Sequence, residues 1–168
     1  LDCAKGKYMV PSITASSTEA DCTTCEKSKY ADQTGLTVCK KCVAGTYGDT
    51  AELTDVAQCK SCSTGQYSTQ EGLLLDSDCT PCEAGKQQTL PRQTSCDLCV
   101  VTKFADTPGH VTCKSCPAGW TQVLEGKLKC FSCPTGKYET GNKLVCQVCE
   151  IGRFNEIDHQ TACTICES

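Results

Sequence analysis

The 168-residue chain carries 19 cysteines, above the roughly 8–10% of residues that marks a disulfide scaffold in a secreted protein, and only nine aromatic residues. Leu, Ile and Val are too sparse and scattered to fill the single core that an ordinary domain of this length packs. A net charge of −4 leaves no basic stripe for a phosphate backbone, which excludes nucleic acid as a main partner, and the longest aliphatic run, Leu73-Leu74-Leu75, falls far short of the roughly 18 apolar residues of a membrane span.

Taken in chain order, nine segments open on a cysteine and repeat one pattern. They read CAKGKY from Cys3, CEKSKY from Cys25, CVAGTY from Cys42, CSTGQY from Cys62, CEAGKQ from Cys82, CVVTKF from Cys99, CPAGWT from Cys116, CPTGKY from Cys133 and CEIGRF from Cys149. Glycine stands three residues after the cysteine in all but the second and sixth, where Ser28 and Thr102 replace it. An aromatic residue stands five after it at Tyr8, Tyr30, Tyr47, Tyr67, Phe104, Tyr138 and Phe154; Trp120 sits one place early and Gln87 takes the slot in the fifth segment. The glycine supplies a turn with positive φ or a close backbone approach, and the aromatic enters a short extended stretch where it can lie over a disulfide. These aromatics are therefore expected to form the core of each module. A polar, turn-rich return such as ADQTGLTVC or ADTPGHVTC then closes an irregular hairpin. No window has sustained helical spacing of apolar residues.

Each return ends at a second cysteine, so that C-x-x-C pairs run from Cys22/Cys25 to Cys163/Cys166 and only Cys3 stands alone. Counted from opening to closing cysteine, the modules are 1–22, 25–39, 42–59, 62–79, 82–96, 99–113, 116–130, 133–146 and 149–163, with 166–168 starting a tenth. This register joins Cys3 to Cys22, Cys25 to Cys39, Cys42 to Cys59, Cys62 to Cys79, Cys82 to Cys96, Cys99 to Cys113, Cys116 to Cys130, Cys133 to Cys146 and Cys149 to Cys163. A crossed scheme linking neighbouring C-x-x-C pairs is the rival, and it explains the solitary Cys3 less simply. Cys166 is left over, expecting a closing cysteine from a further module or an intermolecular bond. Each loop is worth roughly 3 kcal/mol by restricting the unfolded chain, so bridges stand in for the missing core.

The fold class expected is therefore one of small disulfide-rich repeats: an elongated, solenoid-like rod of short β-hairpin modules with little or no helix. At roughly 10 Å per module the rod would be about 90 Å long, with a radius of gyration of about 26 Å against about 15 Å for a compact chain. Small-angle scattering is expected to give the larger value; the smaller one refutes the rod.

The chemical alternatives are weaker. C-x-x-C pairs about 15 residues apart have zinc-ribbon spacing, yet nine pairs do not divide into four-cysteine sites and zinc gives the Gly and aromatic register no role. A redox C-x-x-C needs a βαβ body that this sequence lacks. His110 and His159 read as solvated loop residues, and no nucleophile elbow, phosphate loop or paired-acid site is present, so no enzyme and no cofactor is expected. Leu73, Leu74 and Leu75 form the most apolar patch, open to two readings: a contact surface for a partner or packing on their own or the adjacent module.

The register C-x-x-G-x-Y, a Thr-rich return and C-x-x-C resembles the ephrin-receptor-like cysteine-rich repeat, a relative of the first half of a tumour necrosis factor receptor module. It is also similar to C-x-x-C-rich surface proteins of protists, including ciliate immobilisation antigens and Giardia variant surface proteins. The resemblance runs from CAKGKY to CTIC. It implies an extracellular or cell-surface rod, delivered by the secretory pathway, that displays, spaces or assembles. The leading expectation is a structural protein of a surface coat, filament or appendage, whose partners are copies of itself or further modules. The alternative is a receptor or antigen ectodomain that binds a protein ligand.

Overall fold

The computed structural model describes residues 2–10 and 21–167. The return stretch expected over 11–20 in the first module, together with Leu1 and Ser168, lies outside the described residues. Among the described residues the chain forms nine two-stranded antiparallel hairpins, and no strand exceeds three residues. In order, β1 (Lys7–Met9) pairs with β2 (Cys22–Thr24), β3 (Lys29–Tyr30) with β4 (Lys40–Lys41), β5 (Thr46–Tyr47) with β6 (Lys60–Ser61) and β7 (Gln66–Tyr67) with β8 (Thr80–Pro81). Then β9 (Lys86–Gln87) pairs with β10 (Asp97–Leu98), β11 (Lys103–Phe104) with β12 (Lys114–Ser115) and β13 (Trp120–Thr121) with β14 (Phe131–Ser132). Last, β15 (Lys137–Glu139) pairs with β16 (Cys146–Val148) and β17 (Arg153–Phe154) with β18 (Thr164–Ile165). The described residues contain next to no helix; the 3-10 turns Val56–Gln58 and Asp76–Asp78 are three residues each.

Disulfides join Cys3–Cys22, Cys25–Cys39, Cys42–Cys59, Cys62–Cys79, Cys82–Cys96, Cys99–Cys113, Cys116–Cys130, Cys133–Cys146 and Cys149–Cys163. Cys166 is free and exposed. Local geometry explains why such short strands hold their register. The residue three after each opening cysteine has positive φ, and Ser28 (φ 65°) and Thr102 (φ 68°) adopt the same left-handed turn as the glycines. A second left-handed residue lies four before the closing cysteine at Gly35, Arg92, Gly109, Gly126 and His159. In the third and fourth modules it lies seven before, at Glu52 and Gly72, and the three extra residues are the two 3-10 turns. The first turn is fastened by Asp55 and Gln58, whose side chains accept backbone N–H bonds from Ala57 and Thr54.

Two compact units result. One comprises Leu1–Thr80 with Leu90–Ser95, the other Pro81–Thr89 with Cys96–Ser168, so the boundary falls inside the segment that Cys82 and Cys96 close. Within each unit about half of the buried side chains are disulfide cysteines.

Candidate functional site

The recurring feature of both units is the junction between one hairpin and the next, and its chemistry is backbone chemistry. The residue six after the opening cysteine donates its N–H to a carbonyl in the next return stretch. In the first unit these bonds are Met9 to Leu36, Ala31 to Leu53, Gly48 to Leu73 and Ser68 to Gln93; in the second they are Gln88 to His110, Ala105 to Lys127, Gln122 to Lys143 and Glu139 to Gln160. The carbonyl of the opening cysteine in turn accepts from the left-handed residue of the next module. Cys3 accepts from Gly35 and Cys25 from Glu52 in the first unit, Cys99 from Gly126 and Cys133 from His159 in the second. The amide three after the opening cysteine completes the set, with Gly6 donating to Ala31, Ser28 to Gly48, Gly85 to Ala105 and Thr102 to Gln122. A module therefore shows donors and acceptors in fixed places to its successor.

Three of the aromatics, Tyr8, Tyr30 and Tyr47, pack across this junction. Tyr8 packs on the Cys25–Cys39 bridge, Tyr30 on Cys42–Cys59 with Leu53, and Tyr47 on Cys62–Cys79 with Leu73. Each ring covers the bridge of the following hairpin. Strand alternation turns neighbouring residues to opposite faces, so the residue after the aromatic fills the inward position. Ala31, Ser68, Ala105, Thr121 and Glu139 are buried there, whereas Tyr8, Tyr47, Tyr67, Phe104, Trp120 and Tyr138 are half-buried, Phe154 is exposed and Tyr30 is itself buried. The buried Gln122 amide is satisfied locally, donating to the Lys129 carbonyl and accepting from the Leu124 N–H. Two departures from the pattern gain a meaning. Gln87, in the aromatic slot, reaches the next module by accepting the Cys113 N–H at 2.7 Å. Trp120 stacks on His159, with ring centroids 4.6 Å apart and planes 4° from parallel, while Phe131 stands opposite Thr121 on the partner strand.

Leu73 lies in the interior at 9% exposed, packed with the Cys62–Cys79 bridge and Tyr47, while Leu74 and Leu75, at 48% and 52%, are on the surface. Sequence reasoning also missed a repeated ion pair. Asp32–Lys40, Asp49–Lys60 and Asp106–Lys114 are bonded at 2.7, 2.6 and 2.9 Å, each joining the residue seven after an opening cysteine to the residue following its closing cysteine. His110 adds to the third, its Nε2 3.0 Å from an Asp106 oxygen.

Lys114 and then His110 hold the Asp106 carboxyl down at about 2. Its folded value lies below the ordinary one of about 3.9, so its contribution is complete above about pH 4 and is lost as pH falls through about 2. Carboxyl-carbon NMR is expected to give a midpoint near 2 for Asp106, rising in Lys114→Gln; an ordinary midpoint in the parent protein refutes the pair. Lys40 and Lys60 likewise hold Asp32 and Asp49 below the usual range.

Eighteen cysteines are held as disulfides, so among the described residues no C-x-x-C pair keeps two thiols for a metal or for redox exchange. No cluster of metal-ligating side chains and no helix long and apolar enough to cross a membrane occurs among the described residues. Shallow grooves lie beside the junctions, one of about 300 Å³ lined by Phe104, Pro117, Trp120, Lys129 and Cys130. The fold and its junctions define a disulfide-rich array of β-hairpin repeats. No protein-family model matches the chain, and no curated protein shows significant similarity to it.

Proposed function

We propose that this protein is a non-enzymatic extracellular structural protein, an array of disulfide-stapled hairpins serving in a surface coat, filament or appendage. The observation that carries this reading is the junction itself: one hydrogen-bonding pattern, used from module to module, accounts for the chemistry-bearing positions that the register singles out. Bridges at this density are typical of oxidising compartments outside the cytosol. The likeness to ephrin-receptor-like repeats and to protist surface proteins points the same way. The receptor or antigen ectodomain is the second reading, favoured by the adjacent exposed side chains of Leu74 and Leu75, which a protein ligand could cover. Immunogold labelling of intact cells from the natural source distinguishes the two. Label running along a coat, filament or appendage supports the structural role, label dispersed over the membrane supports the receptor, and label confined to the interior refutes both.

A further inference from the structure

Two patches depart from the repeat in the same way, by setting apolar side chains where a sister module has polar ones. The first is the return stretch of the fourth module. Leu53 and Leu73 are buried equivalents whose carbonyls accept from Ala31 and Gly48, and in each module two further residues lead into a 3-10 turn. In the third module those two are Thr54 and Asp55, whose N–H groups donate to the Gln58 side chain; in the fourth they are Leu74 and Leu75, whose N–H groups donate to Asp78 in the same way. The loop therefore folds without leucine there, yet both leucines stand about half exposed on a backbone that Asp78 holds. Their module, 62–79, carries Glu71, Asp76 and Asp78 and no lysine or arginine.

The second patch is the groove of about 300 Å³ lined by Phe104, Pro117, Trp120, Lys129 and Cys130. Equivalent grooves lie beside Tyr8 and Tyr138, where the residues one and four after the opening cysteine are Glu26 and Lys29, or Glu150 and Arg153. Glu26 and Lys29 close as an ion pair at 2.9 Å. Pro117 and Trp120 take those two places after Cys116, so the indole stands where the other modules have lysine, arginine, threonine or glutamine. The stretch from Cys99 to Cys130 has four lysines against Asp106 and Glu125, in a chain whose net charge is −4.

We propose that Leu74 and Leu75 of one chain dock in the Phe104–Trp120 groove of a second copy, with Lys129 facing the carboxylates of Glu71, Asp76 and Asp78; the inference rests on the structural reading above. Charge and hydropathy together identify the occupant. The groove asks for an apolar side chain with negative charge beside it, and the leucine pair in its all-acidic module supplies both. Because Asp78 fixes the backbone of the two leucines, docking orders little that is not already ordered. Pairing of like with like is disfavoured, since it sets carboxylates against carboxylates or lysines against lysines. Knob and groove are different surfaces, so the contact is heterologous and copies add in one direction, as a ring or a filament.

The test uses two variants of the whole oxidised chain that copy sister modules, so that each keeps the fold. Leu74→Thr with Leu75→Asp copies Thr54 and Asp55, and Pro117→Glu with Trp120→Lys copies Glu26 and Lys29. Sedimentation velocity from about 10 μM to about 1 mM spans the affinity of a small contact. The parent chain is expected to associate in this range, with NMR shifts at the Leu74 and Leu75 amides and at the Trp120 indole N–H. Each variant alone is expected to bind its own copies about tenfold more weakly or worse, and Lys129→Glu about fivefold. Mixed in equal amounts, the two variants are expected to form a one-to-one complex that grows no further, because one supplies the groove and the other the leucines. A monomeric parent, association indifferent to either variant, or a mixture that does not pair overturns the proposal. The first of these hands the leucines to a protein ligand of another kind, and the second leaves the structural role standing through another surface. Absence of label from coats and filaments removes that role whatever the variants do.

Discussion

Reduction of the bridges is expected to abolish the fold at 25 °C, with loss of amide dispersion and of the β circular-dichroism signal, while the oxidised protein keeps both on strong heating. Two-residue strand pairs are marginal in water, and here nothing large lies behind them. Apart from cysteines, the buried apolar side chains among the described residues are Tyr30, Ala31, Leu53, Leu73 and Ala105, far too few to offset the conformational entropy of a chain this long. Opening one bridge has a proportionate effect. Cys99→Ala with Cys113→Ala is expected to cost about 2–5 kcal/mol in denaturant titration, because it frees a 14-residue separation and disperses the cluster those cysteines form with Ala105. Peptide mapping without reductant should recover Cys25 linked to Cys39 and Cys82 to Cys96. A reduced chain with dispersed amides would show that the fold rests on something other than its bridges.

The hairpin class was legible because cysteine, glycine and aromatic residues leave strong marks at fixed offsets. What escaped was carried by the backbone. The position six after the opening cysteine is filled by Met, Ala, Gly, Ser, Gln, Glu and Asn, with no shared side-chain chemistry, since its work is done by its own N–H and C=O. The left-handed residue of the return stretch was half visible, as Gly35, Gly72, Gly109 and Gly126, but Glu52, Arg92 and His159 adopt it without announcing it. That Tyr8, Tyr30 and Tyr47 cover the next bridge is a contact between modules, which the register of a single module does not display. The Asp and Lys pair left a signal as well. Asp32, Asp49 and Asp106 each accompany a lysine directly after the closing cysteine, and the other modules have neither. His159 reads as a solvated loop residue until Trp120 is placed against it, a contact across two modules that local sequence cannot display.

That two-module contact sets up the sharpest substitution. Gly119 and Gly136 share one turn, with φ of +78° and +76°, and a side chain at either meets the same left-handed backbone penalty of about 1–2 kcal/mol. Their surroundings differ. A Cβ at Gly136 has nothing within 4 Å, whereas at Gly119 it would stand 1.9 Å from the His159 carbonyl oxygen, a backbone atom that cannot swing aside. Gly119→Ala must therefore push that return stretch away, parting the Trp120–His159 stack and straining the bond from the His159 N–H to the Cys133 carbonyl. Overpacking of this sort adds about 1–3 kcal/mol to the turn penalty. The expected order is Gly136→Ala at about 1–2 kcal/mol and Gly119→Ala at about 2–5 kcal/mol, read from denaturant midpoints with all bridges intact. Trp120, the sole tryptophan, reports the contact directly, so its emission is expected to change in Gly119→Ala under native conditions and to stay constant in Gly136→Ala. Equal destabilisation by the two, with Trp120 emission unmoved, would mean that the close approach at Gly119 does not hold the hairpins together.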